Sequence, residues 1–195
     1  MTGSVALVGM PGSGKSTVGR QLARLLGWQL LDSDAEIERE LGHSIRSHFE
    51  QYGEESFRAL EEAMIARLAA RPGVVLATGG GAVLREANRV ALRAHGNTVV
   101  YLRAGVEDLV RRLRHDTQRP LLQDVDPAIR LRQLFTQRDP LYRAVADHVV
   151  DTGRSSVSAI AHLLAMQLEL GDLGGNAAAS AIHKPGSSDD PADSA

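Results

Sequence analysis

The stretch Gly9-Met-Pro-Gly-Ser-Gly14-Lys15-Ser16-Thr17 follows directly on the apolar run Val5–Val8. It fits the pattern G-x-x-x-x-G-K-[ST], a P-loop. This pattern constrains the fold strongly, because it requires a strand, then a tight loop, then a helix. Only that order brings the loop N–H groups and the helix N-terminus together as an anion nest. The sequence around it agrees: Val18, Leu22, Leu25 and Leu26 then repeat at helical spacing. Gly12, Ser13, Gly14, Lys15, Ser16 and Thr17 are the residues expected around the phosphates of a nucleoside triphosphate. Lys15 adds a point charge, and Ser16 offers a hydroxyl to Mg²⁺. Lys15 is also conspicuous, since the only other lysine is Lys184. The alternative is a glycine-rich turn with no ligand. The loop specifies a nucleotide and leaves the acceptor open.

Short apolar runs and longer amphipathic segments alternate along the rest of the chain. The runs are Val5–Val8, Trp28–Leu31, Val74–Ala77, Thr98–Leu102 and His148–Val150. Each is short enough to be a strand buried on both faces. The helical patterns include Phe57, Leu60, Met64, Ile65 and Leu68, then Val106, Leu109, Val110 and Leu113, then Ile160, Leu163, Leu164 and Gln167. Alternation of this kind predicts an α/β fold with a parallel sheet covered on both faces. Ligands of such sheets bind beyond the carboxyl ends of the strands, so chemistry is expected just after each run.

After the second run come Asp32 and Asp34, two residues apart. Beside a phosphate loop, one carboxylate can hold the water shell of Mg²⁺ and the other can accept the proton of an acceptor hydroxyl. Alternatively, Asp34 is simply the N-cap of a helix over 35–41. Arg58 and Glu61 are three residues apart on one helical face. They read equally as a surface ion pair or as an arginine braced to point into a cleft. After the third run come Gly79, Gly80 and Gly81. They allow close backbone approach to a carboxylate or phosphate, or else form a flexible loop.

Composition excludes several classes. The net charge of −2 does not favour binding a polyanion by bulk charge. Nine arginines between Arg103 and Arg143 are offset by six acids. The chain has no cysteine, no long apolar run and no secretory signal, which fits a cytoplasmic enzyme with no membrane partner. The seven histidines show no metal-ligand spacing. Residues 171–195 are rich in Gly, Ala, Ser, Asp and Pro, and set four aspartates against Lys184. They read as a disordered acidic tail behind a single domain over 1–170.

Taken together, the motifs resemble the shikimate kinase family. The resembling residues are Gly9–Thr17, Asp32-Ser-Asp34, Phe57-Arg58-Ala-Leu-Glu61, Gly79-Gly80-Gly81, Arg119-Pro-Leu-Leu122 and Arg138-Asp-Pro-Leu-Tyr142. The resemblance implies a three-layer αβα P-loop fold with a central five-stranded parallel sheet and a mobile lid at about 115–126. It also implies transfer of the ATP γ-phosphoryl group to the 3-hydroxyl of shikimate, with Mg²⁺ as cofactor, by a protein that needs no second chain to build its site. By position, Ser16 would ligate the metal, with Asp32 acting through water. Asp34 would face the shikimate hydroxyls as the candidate proton acceptor. Arg58, Gly80 and Arg138 would hold the carboxylate, with Gly79 and Gly81 beside them, and Glu61 would brace Arg58. Lys15 and Arg119 would stabilise the transferring phosphate, and Arg112, Arg154 and Ser155 would lie on the adenine side. Two departures stand out. Ala144 occupies a place where the family often has Glu, and Ser155 one where it often has a basic residue. Two rivals stay open at this stage: another small-molecule kinase, for gluconate or a nucleotide, and a nucleotide-dependent switch without an acceptor.

Overall fold

The structure, a computed structural model, describes residues 3–113, 126–153 and 155–180. Strands β1 (Val5–Val8), β2 (Gln29–Asp32), β3 (Val74–Ala77), β4 (Thr98–Arg103) and β5 (His148–Asp151) form one sheet. Their order is β2-β3-β1-β4-β5, and every pairing is parallel.

The apolar runs make sense once both faces of the sheet are followed. Successive side chains of a strand point to opposite faces. Val5 and Leu7 of β1, Val75 of β3, and Val100 and Leu102 of β4 join one core cluster with Val18, Leu22 and Leu164. Those last three lie on helices α1 (Lys15–Leu26) and α7 (Val157–Ser180). Ala6, Val8, Leu76, Val99 and Tyr101 face the other cluster. It is covered by α2 (Ser33–Leu41), α3 (Ile45–Ala69), α4 (Glu86–Arg93), α5 (Val106–Leu113) and α6 (Pro127–Val145). The three-layer expectation therefore holds.

Two strand expectations need correction. The runs at Trp28–Leu31 and His148–Val150 are not buried on both faces, because β2 and β5 are the edges of the sheet. Val149 is exposed, and only Leu31 of β2 is fully buried. In addition, β2 starts one residue later and ends on Asp32. Trp28 lies before it and packs against the α1–α7 core.

Helix α6 carries no clear apolar period, whereas the short α4 is amphipathic. Part of α6 encloses Pro140, and α3 bends at Gly53, where φ is 80°. Helix α7 continues to Ser180, past the compositional change at 171, and its last buried residue among the described side chains is Leu168. The expected lid falls almost wholly outside the described residues, as do residues 181–195. No helix among the described residues is long and apolar enough to cross a membrane.

Candidate active site

Parallel register brings three motifs to one edge. Leu7 of β1 and Asp32 of β2 both pair with Ala77 of β3. The phosphate loop, the aspartate pair and the triple glycine thus leave the sheet from adjacent positions.

The phosphate loop closes on itself. The Ser13 N–H donates to the Met10 carbonyl at 3.1 Å, and Gly14 caps α1 in the left-handed region at φ 96°. A side chain at that position would be strained. Lys15 is buried, and its Nζ donates to the carbonyls of Gly9 and Met10 at 2.9 and 3.0 Å. Its charge is thereby held at the mouth of the loop. Ser16 and Thr17 are exposed in the first turn of α1.

The capping expectation for the aspartate pair is corrected. Asp32, not Asp34, caps the following helix, with Oδ1 accepting from the N–H of Asp34 at 3.1 Å and of Ala35 at 3.3 Å. The same carboxylate accepts from the Ser16 hydroxyl through Oδ2 at 2.7 Å. One Asp32 oxygen is therefore committed to structure. The other meets Ser16 in a hard-oxygen pair suited to a nucleotide-borne Mg²⁺. No cluster of three or more His, Cys, Asp or Glu that could hold a metal by itself occurs among the described residues. A cation here would share its coordination with phosphates.

Asp34 stands against the triple glycine. A Cβ added to Gly79 would lie 2.6 Å from Asp34 Oδ1 and 2.8 Å from Glu61 Oε1. At Gly80 it would lie 2.7 Å from the Pro11 ring, and at Gly81 it would strike the Arg58 guanidinium. The flexible-loop alternative is thus set aside, because each of these glycines abuts a residue of another motif where its Cβ would stand. The Gly79 N–H donates to the buried Ser33 hydroxyl at 3.0 Å. The Gly80 carbonyl accepts from Arg138 Nη1 at 3.0 Å and from the Tyr142 O–H at 2.5 Å.

The two candidate arginines converge here. Arg58 is 7% exposed and Glu61 1%, which rules out a surface pair. Arg58 Nη1 donates to Glu61 Oε2 at 2.7 Å, while Nε and Nη2 reach Glu54 Oε1 at 3.2 and 3.0 Å. Burial opposes the Arg58 charge, but the two carboxylates outweigh it and its pKa is raised. Burial lifts the Glu61 carboxyl above its ordinary range, with Arg58, Arg138 and Arg85 pulling the other way. Arg138 is also buried, and its pKa is lowered, chiefly by burial and further by the neighbouring Arg58 charge. Its Nε has no hydrogen-bond partner among the described residues. Glu61 and Glu54 lie close enough to act on the Arg138 charge without offsetting its burial, so an arriving anion would relieve a remaining cost.

On the nucleotide side, Arg112 Nη1 reaches the Gly12 carbonyl at 3.3 Å, and Nη2 reaches the Thr152 carbonyl at 2.8 Å. Ser155 is exposed, and Ala144 lies on the exposed side of α6. Arg119 and Arg154 lie outside the described residues. Sequence reading assigned no role to Glu54, Ser33 or Tyr142. Ser33 and Tyr142 stand inside two of the quoted motifs, and Glu54 is signalled by its four-residue spacing from Arg58.

A family model described as "Shikimate kinase" matches residues 11–169. The chain belongs to the shikimate kinase family. It is 54% identical over 163 residues to a shikimate kinase of Cupriavidus pinatubonensis, covering 84% of each chain. It is 52% identical over 169 residues to one of Nitrosospira multiformis, covering 87% of this chain and 86% of that one. Among solved structures, a shikimate kinase from Acinetobacter baumannii in complex with shikimate superposes with a TM-score of 0.83 at 44% identity. That match covers 88% of this chain and 95% of the other. The shikimate kinase resemblance read from the motifs is thus borne out at the level of family and fold.

Proposed function

We propose that this chain transfers the γ-phosphoryl group of ATP to the 3-hydroxyl of shikimate, giving shikimate 3-phosphate and ADP. The observation that carries the reading is Arg138, buried beside Arg58 with its Nε unpartnered among the described residues. An acceptor carboxylate would add a further anion, bound by forked donors in a desolvated pocket. Family membership supports the choice of acceptor.

In this reading, Arg58, Arg138 and the Gly79–Gly81 backbone hold the carboxylate end, with Glu61 and Glu54 fixing Arg58. Asp34, packed against Gly79, faces the hydroxyls. As the oxygen attacks the γ-phosphorus, Asp34 accepts the hydroxyl proton and the bond from the γ-phosphorus to the bridging oxygen of ADP breaks. Lys15 and the loop amides receive the phosphate charge, which is where most of the rate gain of such transfers arises. Ser16 and, through water, Asp32 would hold Mg²⁺, whose contribution is to neutralise the outer phosphate oxygens. Arg119, from the segment outside the described residues, is assigned to the same charge. A single chain supplies all of these groups, so we assign a monomer.

The test is coupled ADP release with Mg-ATP and either shikimate, gluconate, a nucleoside monophosphate or no acceptor. Shikimate-dependent release well above the other three is expected. Faster release with gluconate or the monophosphate would reassign the acceptor. Background release alone from folded, ATP-binding protein would favour a switch.

A further inference from the structure

We infer that Tyr142 is a positioning residue for the acceptor, fixing through its phenol the peptide plane that aims the glycine loop at the carboxylate. The inference rests on the acceptor reading above.

Tyr142 is completely buried, and its O–H donates to the Gly80 carbonyl at 2.5 Å. A trans peptide is planar, so the Gly80 carbonyl and the Gly81 N–H belong to one rigid unit and point in opposite directions. Turning the carbonyl inward toward α6 therefore turns the Gly81 N–H outward. The preceding peptide is fixed in the same way: the Gly79 carbonyl accepts from the Ala82 N–H at 3.1 Å, which directs the Gly80 N–H to the opposite side. The Gly79 N–H is held by the Ser33 hydroxyl and the Gly81 carbonyl by the Leu84 N–H at 3.0 Å, which leaves the Gly80–Gly81 peptide to Tyr142 and Arg138. Glycine backbone is free to turn, and only its partners hold it.

Arg138 shares the Gly80 carbonyl, and its Nη1 takes one of the two lone pairs at 3.0 Å. Arg138 is also the group with spare donors for the acceptor. When its fork turns to a carboxylate, Tyr142 keeps the other lone pair engaged and the plane stays set. Burial raises the Tyr142 pKa far above neutrality, so the phenol remains a donor throughout the working range. Its ring is fixed by stacking on Tyr101, with centroids 4.9 Å apart. Its O–H also lies 3.9 Å from Met10 Sδ in the phosphate loop.

Tyr142→Phe keeps the ring and removes only the donor, and Tyr101→Phe is its control. Tyr101 stacks on the same ring and donates to Asp139 at 2.8 Å instead of to the glycine loop. The experiment measures KM for shikimate, KM for ATP, kcat and Tm in wild type and both variants. In Tyr142→Phe the shikimate KM should rise roughly tenfold, the loss of one hydrogen bond to a buried acceptor. Its ATP KM should stay within about twofold, with a Tm within about 4 °C of wild type. Tyr101→Phe should lower Tm by a similar amount and leave the shikimate KM alone. An unchanged shikimate KM in Tyr142→Phe would overturn the inference, as would parallel rises in both KM values reproduced by Tyr101→Phe. Wild type without shikimate turnover would overturn the acceptor reading, and this inference with it. Normal wild-type turnover with an unaltered variant would overturn this inference alone.

Discussion

The proposed clamp would entangle stability and binding in one side chain, Arg58. Its guanidinium is bonded to Glu61, which is 1% exposed, and to Glu54. Arg58→Met should abolish acceptor binding and also destabilise by about 3–5 kcal/mol, because it leaves a buried carboxylate uncompensated. Arg58→Met combined with Glu61→Leu should recover most of that stability in a denaturant melt without restoring shikimate binding. If the double variant binds shikimate, the clamp is wrongly assigned. Lys15→Ala should cut turnover by roughly a hundredfold or more while leaving the shikimate KM nearly unchanged, if its charge serves the phosphates as proposed. The residue types of the clamp are legible in sequence because Arg58 and Glu61 are three apart on a helix. Ser33 and Tyr142 are not, because each acts on a glycine more than forty residues away.

At the scale of elements, Asp32 joins β2 to α2 and to the phosphate loop at once. Asn caps a helix about as well as Asp, whereas Ala loses about 1 kcal/mol. Asp32→Asn should therefore melt close to wild type but need several-fold more Mg²⁺ for half-maximal rate. Asp32→Ala should show both defects. A Mg²⁺ titration indistinguishable from wild type in Asp32→Asn would confine Asp32 to capping. Asp139 plays a comparable joining part between α6 and β4. It accepts from the Tyr101 O–H at 2.8 Å and from Arg143 Nε at 2.7 Å. Burial works against its charge, but Arg143, Tyr101 and Arg103 prevail, and its pKa is lowered. A carboxyl lowered on folding stabilises above the unfolded value, about 3.9, and loses that contribution as pH falls through the folded value. Asp139→Asn should flatten the acid side of the stability curve below about pH 4 and cost stability at neutrality; an acid limb as steep as in wild type would disprove the link. Elements with a clear apolar period were legible in sequence. Helix α6 was not, because its inner face mixes Leu131 and Leu134 with Arg138 and Tyr142, which bond to the Gly80 carbonyl.

For the whole molecule, the alternation of runs was enough to give the sheet and its two helical layers, but not the strand order. The edges do leave a local mark, since β2 and β5 each carry polar residues at both ends, Gln29 and Asp32, His148 and Asp151, whereas β1 and β3 are apolar throughout. Exposure follows from the order β2-β3-β1-β4-β5, a property of the assembled sheet. The chain end illustrates the same limit. Among the described side chains, the last buried residue is Leu168. Truncation after Leu170 should therefore leave kcat and both KM values at wild-type levels, and a clear loss would give residues 171–195 a part in the enzyme. The packing of the triple glycine also bears on how such an enzyme can change over generations. The space a side chain would need at Gly79, Gly80 and Gly81 is already filled by Asp34 and Glu61, by Pro11, and by Arg58. No single replacement there can reshape the proposed acceptor pocket without displacing a neighbouring residue. Drift toward a new acceptor is thus closed at the loop itself and has to begin among the side chains that surround it.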